Sequence, residues 1–505
     1  MMKKTTEQYG PIPREVRNIS DELKKVGFEV YLIGGCVRDI LLGIKPKDWD
    51  FTTNATPEDI IKIFPETFYE NAYGTVGVVN KDVSDETIKV VEVTPYRLES
   101  EYSDNRRPDK VTFSKKLDDD LQRRDFTINA IALDLKDKGK EKNFYQGTIE
   151  DPYKGQVDLK NKILRTVGDP HERFQEDGLR ILRAVRIASD ISFEIDKKTE
   201  IALKKENSLL SKIAKERIRD EFTKIIMSDH PMNGIKLCEK FDLLKYIVPD
   251  LEKTISIEQG GTHAYDVWEH SLRSLQHAAD KKWSLELRLS ALFHDIGKPK
   301  SRRMAEKGSK AWTFYGHEVI GARMTEKILQ DLKYPKNIIE KVTKLVRMHM
   351  FFSDTAQISL SAVRRVIAKI GKDNIWDLMN LRACDRIGTG RPKANPYRLR
   401  KYHAMIDEAL RDPISVGMLN IDGKKVMENS GEKPGPKIGF VLHALLEEVL
   451  EDPKLNTEEY LNKRAIELMK LPEDKLRTMG EGGKKKKEEE NEEELKEIRK
   501  SHFVE

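Results

Sequence analysis

Long apolar runs are missing from this 505-residue chain, and no stretch approaches the roughly 20 residues that a membrane span needs. Its first residues, Met1-Met2-Lys3-Lys4-Thr5-Thr6, lack the apolar core of a secretory signal. Cysteine is scarce: there are three, none paired at metal-ligand spacing, which excludes a disulfide framework and fits a reducing compartment. Neither sign of charge dominates. Charged residues make up 35% of the chain, yet the net charge is only +5, so the two signs are interspersed. That balance permits nucleic-acid binding through local patches without demanding it. No repeat of fixed period is present, nor a module for reading duplex bases. These absences leave a cytoplasmic protein as the expectation. Its length allows about three to four domains.

The most informative string that is present is Gly34-Gly35-Cys36-Val37-Arg38-Asp39, followed closely by Asp48-Trp49-Asp50. Val30-Tyr31-Leu32-Ile33 in front of it is apolar and β-branched, the pattern of a buried strand. The glycine pair predicts a tight turn where backbone approaches a ligand, opening a helix over Arg38–Leu42. Glycines before a helix N-terminus suit phosphate. Asp48 and Asp50 fall two apart in a strand-like run to Thr53, so both carboxylates project from one face. Hard carboxylates beside a phosphate cradle suit Mg²⁺, which shares its oxygen ligands with substrate phosphates. Together, in this order and this close, the strings point to two-metal nucleotidyl transfer.

The patterning predicts helices over Arg14–Lys25, Pro57–Phe64 and Asp118–Arg124, with strands over Ile88–Thr94 and Ile128–Leu135. From Asp151 helical periodicity dominates to about Met469. The expected organisation is a head over 14–150, a helical neck over 151–230, a helical body over 255–390, a helical tail over 391–475, and a charged low-complexity tail over 476–505. Gly431 to Gly439 reads as a turn into an amphipathic helix over Phe440–Leu450.

Three further strings bear on chemistry. Glu92, in Val90-Val91-Glu92-Val93-Thr94, is either a third active-site carboxylate or a solvent-facing strand residue. In Arg123-Arg124-Asp125-Phe126-Thr127-Ile128-Asn129-Ala130, the basic pair can engage phosphates, and Asp125 with Asn129 can read ribose hydroxyls. The plainer reading is a helix end with a salt bridge. On a helical wheel through Glu176–Arg186, Ile181, Leu182 and Val185 gather on one side. Glu176, Arg180, Arg183 and Arg186 gather on the other, with Asp177 at the flank and three residues from Arg180. That face is either a solvated salt-bridged surface or a set of donors and acceptors for the edge of a base.

In that order, Gly34-Gly35-x-x-Arg38-Asp39, Asp48-x-Asp50, Glu92-Val93-Thr94-Pro95-Tyr96-Arg97, Asp104-Asn105-Arg106-Arg107-Pro108, Arg123 to Ala130, Asp151-Pro152 and Glu176-Asp177-Gly178-Leu179-Arg180 resemble the class II tRNA nucleotidyltransferases, the bacterial CCA-adding enzymes of the poly(A) polymerase superfamily. The resemblance implies an α+β protein: a polymerase-β-like nucleotidyltransferase head followed by an all-α neck, an HD-containing body and a tail, in a seahorse shape. It implies Mg²⁺ on Asp48 and Asp50, the triphosphate near Gly35, Arg38 and Arg124, and selection of CTP and then ATP by Asp177 and Arg180. Arg183 and Arg186 lie on the same helix. It implies tRNA as the partner, gripped through neck and tail by shape, and leaves the oligomeric state unread. The polar loop from Glu99 to Pro108 matches an element that CC-only enzymes lack. Lys215-Glu216-Arg217-Ile218-Arg219-Asp220-Glu221 matches a neck-closing helix, a structural element.

A second candidate site follows. His270, the His294-Asp295 pair and Asp385, with His317 and His349 as further candidate ligands, resemble the HD superfamily of metal-dependent phosphohydrolases. Imidazole and carboxylate suit a transition metal, and hydrolysis of phosphoesters at the tRNA end is the implied chemistry. The site is either retained or decaying within a helical body. Three rivals stand beside the CCA reading: an A-adding enzyme, a poly(A) polymerase, and an HD phosphohydrolase whose head only binds nucleotide.

Overall fold

The apolar, β-branched segment Val30–Ile33 is the strand its composition predicts, and it lies inside an eight-stranded sheet. The computed structural model describes residues 7–69, 74–100, 110–138, 143–260, 263–304, 312–351 and 358–480. The strands of that sheet are β1 (Glu7–Tyr9), β2 (Val30–Ile33), β3 (Asp50–Thr53), β4 (Thr67–Tyr69), β5 (Val76–Val79), β6 (Val90–Pro95), β7 (Ala132–Lys138) and β8 (Tyr145–Glu150). Their order across the sheet is β1-β8-β7-β2-β3-β6-β5-β4. Neighbours are antiparallel except β3 and β6, whose parallel register sets Asp50 opposite Glu92. The helix Arg14–Lys25 has the predicted bounds and buries Val16, Ile19 and Leu23, spaced to share one face.

Four local expectations are corrected. The strand begins at Asp50, so Asp48 belongs to the preceding turn. The helix after the glycine turn starts at Gly35, three residues early. Thr127–Asn129 is a single 3₁₀ turn, and its strand starts only at Ala132. Above all, Glu176–Arg186 is two helices, Pro170–Glu176 and Leu179–Asp190. Asp177 between them is extended, and its carboxylate accepts from the Leu179 amide at 3.0 Å. The break falls at Asp177, while Gly178 already has helical φ and ψ and is closely packed, a Cβ there lying 3.0 Å from the Leu209 Cβ. Behind the break, Ile181, Leu182 and Val185 are fully buried, each contributing about 1.5–3 kcal/mol.

The chain divides into two compact units: residues to Lys253 with Ile328–Tyr334, and Thr254–Lys327 with Pro335 onward. In the second, the helix Val267–Asp280 packs on Ile375–Gly388, beside Leu285–Phe293 and Lys336–Met348. One buried apolar cluster runs from Ala278 to Leu476 and so draws on both 255–390 and 391–475. The C-terminal helix expected over Phe440–Leu450 spans Pro436–Glu451. Most of the loop from Glu99 to Pro108, including Asp104–Pro108, and the Lys/Glu-rich end lie outside the described residues. Among the described residues no helix is long and apolar enough to cross a membrane.

Candidate active site and metal centre

In the first unit the glycine turn faces a ring of charge. Gly34 holds φ +76°, a left-handed conformation open to glycine. A Cβ there would lie 3.4 Å from Arg124 Nη1 and 3.5 Å from Asp50 Oδ2. One on Gly35 would lie 3.6 Å from Arg38 Nη2 and 3.7 Å from Asp48 Oδ1. Bare backbone thus borders two carboxylates and two guanidiniums. Burial, then the charges of Asp48 and Glu92, push the Asp50 carboxyl up to about 7. Arg124 and Arg183 pull the other way without cancelling that shift. Three carboxylates with a surplus of negative charge fit Mg²⁺, which Asp48 and Asp50 would hold with Glu92 beside them.

Arg124 is aimed by Asp120. That fully buried carboxylate accepts from Arg124 at 3.0 Å, from Arg123 at 2.6 Å and from the Thr52 hydroxyl at 3.2 Å. Asp125 and Asn129 are bonded within the protein. Arg38 Nη1 donates to Asn129 Oδ1 (3.2 Å), and Asn129 Nδ2 donates to Asp125 Oδ1 (3.2 Å). Arg183 donates twice to Asp125 Oδ2, at 3.0 and 2.7 Å. Burial works against that charge, but Arg183 and Asn129 hold the Asp125 carboxyl well below the usual range. The relay Arg38–Asn129–Asp125–Arg183 therefore ties the glycine-turn helix to Leu179–Asp190.

Asp177 and Arg180 are not partners, contrary to their spacing. Arg180 pairs with Glu176 and donates to the Arg173 and Arg123 carbonyls at 3.1 and 3.0 Å. Asp177 is gripped by the Arg217 fork at 3.2 and 2.7 Å. Arg186 donates to Glu221 Oε2 at 2.6 Å. The cause is the extended backbone at Asp177, which takes that residue off the helix that carries Arg180.

In the second unit six ligand-type side chains converge. His270, His294 and Asp385 form one triad, Asp295, His317 and His349 another, each with ligand atoms within 4.8 Å of one another. Asp295 joins the two. Its Oδ2 lies 3.1 and 3.3 Å from Nε2 of His270 and His294, and its Oδ1 lies 3.2 and 3.7 Å from Nε2 of His317 and His349. Three ring Nδ1 atoms are fixed by carbonyls: His294 to Ala291 (2.9 Å), His317 to Phe314 (2.8 Å) and His349 to Val346 (2.7 Å). Their Nε2 atoms are thereby turned inward toward Asp295. Burial lowers His349 to about 3, leaving it neutral and ready to coordinate. Burial opposes the Asp295 charge, yet His294 and the buried Lys298 ammonium hold its carboxyl well below the usual range. Lys298 donates to Asp295 Oδ2 at 2.6 Å and to Gln259 Oε1 at 2.5 Å. Imidazole nitrogens around a shared carboxylate fit a pair of transition-metal ions.

Gly297 sets the approach of the two triads, since a Cβ there would lie 2.2 Å from the His317 carbonyl oxygen and 2.6 Å from the Gly321 amide. Gly297→Ala is expected to displace His317, to cost about 1–3 kcal/mol and to halve the metal retained per chain. Elemental analysis after dialysis reads the second effect.

The family pattern of the poly A polymerase head domain matches residues 30–165. That of the probable RNA- and SrmB-binding site of polymerase A matches 192–255, and that of the HD domain matches 267–380. The CCA-adding enzyme of Ligilactobacillus salivarius (strain UCC118) is 32% identical over 465 residues, covering 90% of this chain and 98% of that relative. The chain belongs to the CCA-adding enzyme family. A CC-adding tRNA nucleotidyltransferase of Thermus thermophilus is nearly as similar: 31% identical, covering 83% of this chain and 89% of the relative. Among solved structures, the CCA-adding enzyme of Bacillus stearothermophilus in complex with CTP aligns at a TM-score of 0.67 and 26% identity, over 90% of this chain and 98% of that one. The α+β class with a sheet-bearing head and a helical body is that family's fold.

Against the family motifs, Gly34, Gly35, Arg38, Asp48, Asp50, Glu92 and Arg124 come together at one cradle. Asp125 and Asn129 serve as internal braces, and Arg180 reaches the carbonyl of Arg123 beside Arg124 while Asp177 is held by Arg217. The sequence reading missed Asp120, Lys298 and Gln259, and it took Arg217 and Glu221 only as part of a structural helix. Asp120 was detectable, being three and four residues before Arg123 and Arg124 on a helical stretch. Arg217 was not, because its partner lies 40 residues away.

Proposed function

We propose that this chain extends the 3′ end of tRNA by C, C and A, taking CTP and ATP and using no nucleic-acid template. The observation that carries the reading is the convergence of Asp48, Asp50 and Glu92 on a bare glycine turn flanked by Arg38 and Arg124. Mg²⁺ at these carboxylates supplies Lewis-acid stabilisation of the reacting phosphate and its leaving group. The tRNA 3′ hydroxyl attacks the α-phosphorus, the bond to pyrophosphate breaks, and the hydroxyl proton is released. Arg38 and Arg124 meet the triphosphate charge, Arg124 steadied by Asp120 and Arg38 by Asn129. Asp177 and Arg180 read the base as acceptor and donor, each oriented before nucleotide arrives by Arg217 and Glu176. The three cysteines are buried thiols, in keeping with a cytoplasmic setting.

The test offers tRNA transcripts ending before C, after C and after CC to the protein with Mg²⁺, CTP and ATP, and reads product length on a sequencing gel. Growth of the bare end by C, C and A, and no further, is expected. Growth stopping at CC, growth of the CC end alone, or a long adenylate ladder would each replace this reading with a named relative of it.

The joined triads around Asp295 favour a second activity, metal-dependent phosphoester hydrolysis. Water oxygen bonds to phosphorus, an ester P–O bond breaks, and the departing oxygen takes a proton. Asp295, Asp385 and the four histidines would hold the metals, which supply an activated water, while Lys298 keeps Asp295 ionised.

A further inference from the structure

The metal cluster of the second unit opens into a cavity of about 1730 Å³, well above the roughly 300–1,000 Å³ of a small-molecule site. Its lining is strongly one-signed. With Asp295, Lys298 and the Arg382–Asp385 ion pair set aside, five basic side chains line it against one carboxylate, Glu318. Arg347 and Lys369 also line a second cavity of about 690 Å³, so the two volumes adjoin through shared walls. Arg323 and Lys344 continue the basic lining there, giving four cations against Glu326 and Glu340. Two aromatic rings, Tyr315 and Tyr397, stand on the wall of the first cavity and are 67% and 72% exposed. Exposed tyrosines inside a cleft serve no core.

The geometry points to a track for single-stranded RNA that leads into the HD metal site, so that the substrate there is the end of a strand rather than a free nucleotide. The inference rests on the phosphohydrolase reading and names its substrate class. A row of cations following a backbone, with aromatic faces for stacking bases, is how proteins hold single strands without reading sequence. Arg347, Lys369, Lys344 and Arg323 would meet successive phosphates. Tyr315 and Tyr397 would stack the terminal bases at about tenfold or more in affinity each. The terminal phosphoester would then lie at Asp295, with the strand running outward along the helices His317–Asp331 and Lys336–Met348.

The test compares two substrates of the full chain in Mn²⁺: 2′,3′-cyclic AMP, and a ten-residue single-stranded oligoribonucleotide ending in the same cyclic phosphate. The oligonucleotide is expected to have a kcat/KM at least tenfold higher at low salt. In the double variant Lys344→Ala, Lys369→Ala, two exposed changes that leave the fold intact, that ratio collapses. The salt slope for the oligonucleotide falls by about 1.4, from 0.7 per lost phosphate contact. Equal kcat/KM for the two substrates, or a ratio unchanged in the variant, overturns the track. If neither substrate is cleaved with Mn²⁺, Co²⁺ or Ni²⁺, it is the phosphohydrolase reading that has failed. Anisotropy of the labelled oligonucleotide then decides the track: tenfold weaker binding to the variant keeps it, and equal binding removes it.

Discussion

Replacing Asp50 with asparagine is expected to slow nucleotide addition to a tRNA 3′ end by about 10³-fold or more. At 1.36 kcal/mol per decade this is about 4 kcal/mol of transition-state stabilisation, the scale of a lost Lewis-acid ligand. The side chain keeps its shape, so packing in β3 is preserved, and only the charge is removed. In the metal-free protein that charge is a burden, because burial and the neighbouring Asp48 and Glu92 already push the Asp50 carboxyl up to about 7. Asp50→Asn should therefore melt at the same temperature as the parent or higher. A residue kept for the fold would do the opposite. Mg²⁺ should raise the melting temperature of the parent and lose most of that effect in the variant. Single-turnover addition of labelled CTP, read beside thermal melts with and without Mg²⁺, makes the check. Addition within tenfold of the parent would remove Asp50 from the reaction.

The second large effect is expected at Asp295, where the same exchange should abolish hydrolysis of 2′,3′-cyclic AMP by 10³-fold or more while tRNA addition stays within twofold. Asp295 belongs to one triad and bridges it to the other, one carboxylate oxygen facing the histidines of each. Its loss should take both metal positions together. Tolerance of tRNA addition follows from location, since the glycine-turn carboxylates belong to the other compact unit. A stability cost must be separated from this, because the Lys298 ammonium would lose its only carboxylate among the described residues. Leaving a buried charge unpaired costs about 3–5 kcal/mol. His349→Gln supplies the control: that imidazole is neutral in the fold, lowered to about 3, so no charge is stranded. It should halve the metal content, lower hydrolysis and leave the melting temperature within a few degrees. Loss of tRNA addition in a folded Asp295→Asn protein would show that the two activities are one.

The cradle was legible in the sequence because its signals are local. Gly34-Gly35 after an apolar strand, and Asp48-x-Asp50 shortly after, carry their meaning within 20 residues. The HD cluster was legible for a different reason. Histidines and aspartates have few roles in apolar helices, so their order, together with the resemblance to HD proteins, picked out the six side chains that converge. The neck was misread where periodicity was extended across a glycine. A helical wheel assumes an unbroken helix, and the extended backbone at Asp177 interrupts it just before Gly178. With Asp177 off the helix, the pairing with Arg180 that a spacing of three suggests was replaced by Arg217.

By itself the sequence determined four of the eight sheet strands and the main helices of the head, both sets of candidate metal-binding side chains and the family, since each rests on short-range pattern or on the order of motifs. Only the tertiary structure decided how those side chains are used. The parallel register of β3 and β6 brought Glu92 to Asp50, resolving which face of its strand it occupies. Packing of Lys215–Met227 against Leu179–Asp190 turned a segment assigned to structure into the support of Asp177 and Arg186. The docking of His294-Asp295 between distant histidines made one carboxylate serve two triads. These choices depend on contacts between residues far apart in the chain, and the energy of a buried charge finding its partner has no signature in local spacing.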